Sequence, residues 1–415
     1  MQLTLKAKLK VDEAQCRVLD RMAFACTKLW NTANYERRKA WERTGEISSY
    51  AQQCKQLKDN PWARLLQSQS AQAVLQKLDF AYRSWYRLRR VDRTARPPGF
   101  HKKESLSTIT FKRSAFRIED NILRLSLTPK LREETGFDQR FLHLRFDSYK
   151  PVDGDPCLVE ILRCDGEWYA HIVENVREPK PLPDRKAMAI DLGVVNLATC
   201  MDEGDRAGIY SGRQLLSIQR YFNKQIANAQ QRVNLQGKRW SKRLEGLVRK
   251  RNRQVKHLLH SASRSIVEDC EKRGMTTIVL GRLKNLRKIN GGYGRNWGRN
   301  NQKLHAWPYE QFASQLAYKA RLAGIRVVVR SERGSSRRCS RCGAVRKANR
   351  VYRGLYCCKR CEAVMNADVN GAANLLQRYL RKRRRVGVVG ALARPSVSRW
   401  NWHSFSGESP RIPGL

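Results

Sequence analysis

Residues 187–202, AMAIDLGVVNLATCMD, read as a buried strand, a turn at Gly193 and a second strand. An acid, Asp191, stands inside the first apolar run. A bare carboxylate there is costly unless it is paired or bound to metal; the plainer role is to cap the turn through Gly193. A long basic helical stretch follows, from about Arg213 to Arg273, and then two further apolar runs, MTTIVLGRL (275–283) and GIRVVVRSE (324–332). Between these runs lie a Gly/Asn-rich loop at 290–301, a candidate mobile lid or plain surface loop, and a helix, WPYEQFASQLAYKARLAG. The closing helix, ADVNGAANLLQRYL (367–380), carries Asp368 at its start, where an acid often serves as an N-terminal cap. The order of events argues for more than capping. In an RNase-H-like sheet, the first strand and the last helix bring their carboxylates to one point. There they can hold two divalent ions about 4 Å apart.

Between the last apolar run and the closing helix sit two C-x2-C knuckles, Cys339–Cys342 and Cys358–Cys361, with 15 residues between them. This spacing is that of a zinc ribbon. Four thiolates close the tetrahedron, so the expected Zn2+ is structural. Cys357 is adjacent, but using it would distort the second knuckle. The other eight of the 12 cysteines are scattered, as suits buried thiols in a reducing cytoplasm.

The first part of the chain has a different pattern. Residues 2–10 (QLTLKAKLK) alternate as a strand; residues 12–93 show apolar spacings of three and four, as in helices. Trp30, Tyr35, Trp41, Trp85 and Tyr86 sit among Arg and Lys in that region. They fit either a helical bundle with a solvated basic face or a face where aromatics stack on bases. After a break at RPPGFHKK (96–103) come short β-like runs, with Asp165-Gly166 as a hairpin turn. These could pair with the N-terminal strand, making the helices an insertion. Residues 177–186 (REPKPLPDRK) read as a linker. Residues 381–415 read as a basic, disordered tail.

The 415 residues carry 83 Lys and Arg against 37 Asp and Glu, a formal charge of +46. That excess is self-repelling unless a polyanion relieves it, and nucleic acid is the expected partner. A membrane surface would need an amphipathic anchor or a localised basic tail. Here the basic residues run from Lys6 to Arg411, and no apolar run reaches a membrane span. Within VRKRNRQVKHLLH, Arg249, Lys250, Arg251, Arg253 and Lys256 cover most faces of a helix and are the candidate nucleic-acid contacts.

Taken together, AIDLGVVNLAT, LAYKARLAGIRVVV, SSRRCSRCG and ADVNGAANLL resemble the TnpB family, transposon-encoded RNA-guided nucleases related to type V CRISPR effectors. The resemblance covers nearly the whole chain. It implies a guide RNA pairing with target DNA, and a short DNA motif read by the protein. It also implies a multidomain α/β fold: a wedge-like β-barrel (1–11 and 94–182) with a helical recognition domain (12–93), and a RuvC-like nuclease domain (183–335 and 364–380) with the zinc ribbon (336–363) inserted. By that resemblance Asp191 and Asp368 are the first and last Mg2+-binding carboxylates. The helices between Arg213 and Arg273 would line the guide–target channel.

At the middle carboxylate the chain departs from the family. The common pattern has Glu at the end of the fourth core strand, where this sequence has Gly281. Either the nuclease is lost, leaving an RNA-guided DNA-binding repressor, or the carboxylate has moved. Glu332 ends the next strand, and strands lie about 4.8 Å apart, so its side chain could reach the site while Gly281 leaves room. Some members of the family resemble this chain in that exchange. Glu310 is the weaker substitute, since WPYEQF reads as an exposed helix start. The moved carboxylate is the expectation, giving Asp191, Glu332 and Asp368 as a catalytic set. A zinc-ribbon RNA-binding protein with no guide is the remaining alternative.

Overall fold

The computed structural model describes residues 1–282, 306–352, 354–380, 395–401 and 404–408. The loop at 290–301 and the basic run at 381–385 lie outside them. The chain divides into two compact units, Met1–Arg177 and Glu178–Leu415, with the division inside the proline-rich linker.

In the first unit, β1 (Gln2–Lys10) buries Leu5, Ala7 and Leu9 and exposes the alternate lysines. Asp12 and Gln15 then form a reciprocal cap that starts α1 (Glu13–Thr44), and Gly45, at φ 69°, ends it. Three more helices follow: α2 (Tyr50–Gln56), α3 (Pro61–Arg64) and α4 (Ser68–Arg89). The chain continues through β2 (Ile109–Lys112), β3 (Phe116–Glu119), β4 (Ile122–Ser126), α5 (Pro129–Thr135), β5 (Phe141–Asp147), β6 (Asp155–Cys164) and β7 (Glu167–Asn175). The β6–β7 turn is Asp165-Gly166, at φ 59° and 81°. Positive φ at both central residues matches the twist of a hairpin. The strands form one antiparallel sheet ordered β2-β6-β7-β1-β5-β4-β3. Its two end strands, β2 and β3, are joined by three residues, Arg113–Ala115. The sheet must therefore roll until its ends meet. β1 lies at its centre, so the helices are an insertion after the first strand.

The second unit opens with β8 (Ala187–Leu192), β9 (Asn196–Asp202) and β10 (Ala207–Ser211), then α6 (Arg213–Leu235) and α7 (Lys242–Lys272). After these come β11 (Thr277–Arg282), α8 (Tyr309–Leu322), β12 (Arg326–Ser331), the short pair β13 (Leu355–Cys357) and β14 (Val364–Asn366), and α9 (Ala367–Leu380). The sheet order is β12-β11-β8-β9-β10, with β8, β11 and β12 parallel and β9 antiparallel to both neighbours. One face packs on α6, α7 and α8 through Phe222, Leu258 and Phe312. The other packs on α9 and the ribbon through Val369, Leu376 and Tyr356. Cover on both faces is why β8 reads as a continuous apolar run. Because β8, β11 and β12 are parallel, their C-terminal ends emerge at the same edge.

The tail departs from the expected disorder. Two strands, β15 (Ser396–Trp400) and β16 (Phe405–Glu408), extend the sheet, β15 lying parallel to β10. Trp400 is buried against His257 of α7, and Phe405 packs on Tyr210. The Pro, Ser and Gly around SVSRW hid an apolar anchor of only a few residues. Among the described residues no helix is long and apolar enough to cross a membrane.

A buried charge organises the inserted helices. Arg37 of α1, fully enclosed, donates to Gln53 of α2 at 2.7 Å and to Asp79 of α4 at 3.3 Å. Removing Arg37 takes the buried partner from both Gln53 and Asp79 and leaves Asp79 only the exposed Arg83, at 2.7 Å. Arg37→Ala is expected to cost about 3–5 kcal/mol, and Arg37→Met with Asp79→Leu to recover most of it. Denaturant titration measures both, and a single-variant loss below about 1 kcal/mol would contradict the assignment.

Candidate functional site

Asp191, Glu332 and Asp368 line one cleft, together with Gly193, Asn196, Thr199, Ser335, Ser336 and Arg350. Asp191 is the one partly exposed residue of β8, set between buried Ile190 and Leu192. The turn after it is closed by backbone, the Gly193 N–H donating to the Leu197 carbonyl at 3.4 Å. The Asp191 carboxylate faces the cleft instead and lies against Gly371 of α9, where a Cβ would sit 2.6 Å from its Oδ2.

Glu332 follows β12, two strands from β8 with β11 between them. Pairing sets Leu280 beside Ile190 and Gly281 beside Arg330. The Glu332 side chain crosses directly over Gly281: a Cβ at residue 281 would lie 1.7 Å from its Oε1 and 2.5 Å from its Cδ. The absent side chain is the space the carboxylate occupies. Glu332 reaches Asp191, and the two carboxyl groups hydrogen-bond. Burial, and then the negative charge of Asp368, push Asp191 up to about 7. Burial, and then the charge of Asp191, push Glu332 up to about 8. The Glu332 Oε1 atom is buried with no hydrogen-bond partner.

Asp368 is in the first turn of α9, but it is not the cap. The Asn366 side chain accepts from the backbone N–H of Asp368 at 3.0 Å and of Val369 at 3.2 Å. Asp368 is thereby released to the cleft. Its carboxylate accepts from Asn196 Nδ2 at 2.7 Å and from Arg350 at 3.1 Å. Two glycine cradles, an orphaned buried oxygen and weakened acids describe a site short of positive charge. A hard divalent cation taking oxygen ligands fits that donor set. Glu310 is exposed at the start of α8 and does not line the cleft.

The four knuckle cysteines converge, all four sulfurs lying within 4.8 Å of one another. The Cys339–Cys361 and Cys342–Cys358 sulfur distances are 3.7 and 3.5 Å. Zinc–thiolate bonds of about 2.3 Å at tetrahedral angles would set sulfurs about 3.8 Å apart, so the cluster could hold one such ion. Cys357 ends β13 and is not in the group. Residue 343, a glycine, and residue 362, a glutamate, take positive φ just after each knuckle, at 78° and 54°. Burial raises the Cys358 thiol, but the backbone N–H groups of Cys361 and Arg360 outweigh it and pull it down to about 6.

The basic residues of α7 are not spread evenly. At about 100° per residue, positions 249, 250, 253 and 256 share one side of the helix. Lys250, Arg253 and Lys256 are exposed there and Arg249 is half-buried. Arg251 points elsewhere and donates to Asn223 of α6 at 3.2 Å. The expected phosphate-facing set is therefore four residues plus one that ties two helices together. Arg350 and Asn196 were not singled out as site residues from sequence. Asn196 had a signal, an amide beginning an otherwise apolar strand. Arg350 was one basic residue among many around the ribbon.

Comparison with known proteins matches two segments of the chain to two family models. The family described as "Probable transposase" matches residues 170–287, and "Cas12f1-like, TNB domain" matches residues 309–375. "Putative RNA-guided DNA endonuclease InsQ" of Escherichia coli (strain K12) is 26% identical over 378 residues, 86% of this chain and 87% of its own. "TnpB-like protein ORF457" of Acidianus two-tailed virus is 24% identical over 415 residues, 90% of this chain and 85% of its own. A "CRISPR-associated endodeoxyribonuclease Cas12f1" of Sulfoacidibacillus thermotolerans is 34% identical over 116 residues, covering 28% of this chain and 25% of its own. Among solved structures, "Cryo-EM structure of the Cas12f1-sgRNA-target DNA complex" shares the fold, with a TM-score of 0.61 and 15% identity over 86% of this chain and 82% of that one. Over most of its length the chain is thus similar to TnpB-like proteins and to relatives named as RNA-guided endonucleases.

Proposed function

We propose that the chain is an RNA-guided DNA endonuclease, with a RuvC-like nuclease domain at residues 183–335 and 364–380 and a zinc ribbon at 336–363. Residues 1–11 and 94–182 form the wedge-like β-barrel of this reading, and 12–93 the recognition domain. The observation that carries it is the Glu332 carboxylate filling the place left by Gly281, beside Asp191 and Asp368. A chain that had only lost its middle acid has no reason to keep a glycine there and a buried, unpartnered Glu332 oxygen. The relative from Escherichia coli named "Putative RNA-guided DNA endonuclease InsQ", matched over 87% of its length, supports the same activity.

Asp191, Glu332 and Asp368 would hold Mg2+, which supplies an activated water and charge neutralisation at the phosphate being cut. Gly281 and Gly371 keep two of those carboxylates unobstructed. Arg350 enters the cleft from the ribbon and, beyond Asp368, presents a guanidinium suited to phosphate oxygens. On α7, Lys250, Arg253 and Lys256 offer charge along the guide–target duplex, whose backbone geometry the protein reads while base pairing reads sequence. Guide RNA and target DNA are thus the proposed partners.

The deciding experiment incubates the copurified ribonucleoprotein with matched and mismatched duplex DNA, with and without Mg2+. Cleavage is expected only with matched DNA and Mg2+. Glu332→Gln should abolish cutting and spare target binding, and Gly281→Ala should lower cutting at least about a hundredfold by displacing the carboxylate. A Glu332→Gln protein that cuts at the normal rate would sink the assignment.

Protons and metal compete for the same oxygens. Asp191 and Glu332 ionise only near about 7 and about 8, so the Mg2+ needed for half-maximal cleavage should fall as pH rises through that range. Without metal the sign for stability is opposite. The folded pair holds protons that the unfolded chain releases near pH 4, so stability is lost as pH rises from there towards about 8. Melting temperature without Mg2+ should decline over that window, and less steeply in Glu332→Gln. Equal slopes would contradict the shared burial of the pair.

The ribbon is proposed to bind one structural Zn2+ through Cys339, Cys342, Cys358 and Cys361. Elemental analysis should find about one zinc per chain. Cys358→Ser is expected to lose it and to reduce cleavage, because the first ligand cysteine comes seven residues after Glu332 and the last seven before Asp368. Full zinc content in that variant would exclude the four-cysteine assignment.

A further inference from the structure

Moving a metal-binding carboxylate from β11 to the residue after β12 has a mechanical consequence. β11 is paired on both sides, whereas β12 is the edge strand of the described sheet and mostly exposed. Glu332 lies beyond its last paired residue, Ser331, in a segment leading to the ribbon. Sheet pairing alone therefore does not hold it, yet a metal site needs its ligands fixed within a fraction of an ångström.

Another set of bonds does the holding. Arg378, on α9, donates through one guanidinium nitrogen to the Ser331 carbonyl at 3.0 Å and through another to the Arg333 carbonyl at 2.7 Å. It thus grips the backbone on both sides of Glu332. The Glu332 carbonyl itself closes a turn, accepting from the Ser335 N–H at 3.0 Å and hydroxyl at 2.8 Å. One helical turn before Arg378, Asn374 donates to the Ser335 and Arg338 carbonyls at 3.0 and 2.7 Å. The two residues are four apart on the helix that also carries Asp368. The same helix therefore presents one carboxylate and fastens the strap bearing another.

We propose that Arg378, supported by Asn374, is the positioning residue of the relocated glutamate: its forked contact to the carbonyls of residues 331 and 333 replaces the second strand neighbour that an acid on β11 would have. It acts through the backbone and touches neither metal nor substrate. Lysine, a single point charge, cannot bridge both carbonyls in the same way.

This inference rests on the proposed metal site, and its test separates the two. Arg378→Ala and Arg378→Lys are compared with the wild type and Glu332→Gln in the full chain. Three readouts are taken: Mn2+ binding by electron paramagnetic resonance, amide hydrogen exchange of the segment 331–340, and target cleavage with DNA affinity measured separately. Losing a group that orients a ligand typically weakens metal binding or activity by about 10- to 100-fold. Arg378→Ala should weaken Mn2+ binding and lower kcat to that extent, speed exchange in 331–340 but not in β8, and leave DNA affinity and zinc content unchanged. Arg378→Lys should be intermediate. Wild-type Mn2+ affinity with unchanged exchange in Arg378→Ala overturns the inference. If the wild type binds Mn2+ in a Glu332-dependent way but never cuts matched DNA, the endonuclease reading fails and the positioning role stands.

Discussion

Carboxylates crowded into one half-buried cleft repel one another, and the second unit is arranged around tolerating that repulsion. Desolvation raises the free energy of each charged acid, and proximity adds to it. The chain's answers are local. Two residues have no side chain where a carboxylate must pass, Asn196 and Arg350 bind the most exposed acid, and burial holds the other two acids towards their protonated forms. The parallel strands supply the geometry, since β8, β11 and β12 all end at the same edge. On the proposed reading, destabilisation there is the counterpart of affinity for a divalent ion.

The ribbon is part of this arrangement. The α9 side chains Asn370 and Asn374 reach into the ribbon's first knuckle, Asn370 accepting from the Ser340 N–H at 2.9 Å and donating to the Arg338 carbonyl at 2.9 Å. Its buried Asn349 donates towards the Cys358 sulfur, and the next residue, Arg350, pairs with Asp368. The cysteine cluster and the acid cluster are therefore linked by a few short polar contacts as well as by sequence.

Much of this was legible in the sequence where the code is local. Alternation found β1, Asp165-Gly166 found a hairpin, and knuckle spacing found the four cysteines. The burial of β8 and the position of Asp191 followed from an acid in an apolar run. Glu332 was legible only because Gly281 was missing an acid. That it must cross a whole strand to reach Asp191 is a matter of register, which no short window of sequence carries. The same holds for Asn366 taking the capping role from Asp368, since Asn and Asp cap equally well. The terminal hairpin was missed because its signal is a few apolar residues, Trp400 and Phe405 among them, whose value depends on meeting His257 and Tyr210. Arg251 looked like its basic neighbours because charge patterning does not record which residue faces α6.

The overlap of the Glu332 carboxylate with the space above Gly281 also bears on how such a site changes over generations. Two placements of the middle acid share one volume, so they are mutually exclusive. A chain with acids at both positions would be overfilled, and a chain with neither would leave the cleft one carboxylate short. Each single step between the two arrangements passes through one of those states. The glycine is thus more than a tolerated small residue. It acts as a latch: while Glu332 fills that space, residue 281 is not free to take a side chain.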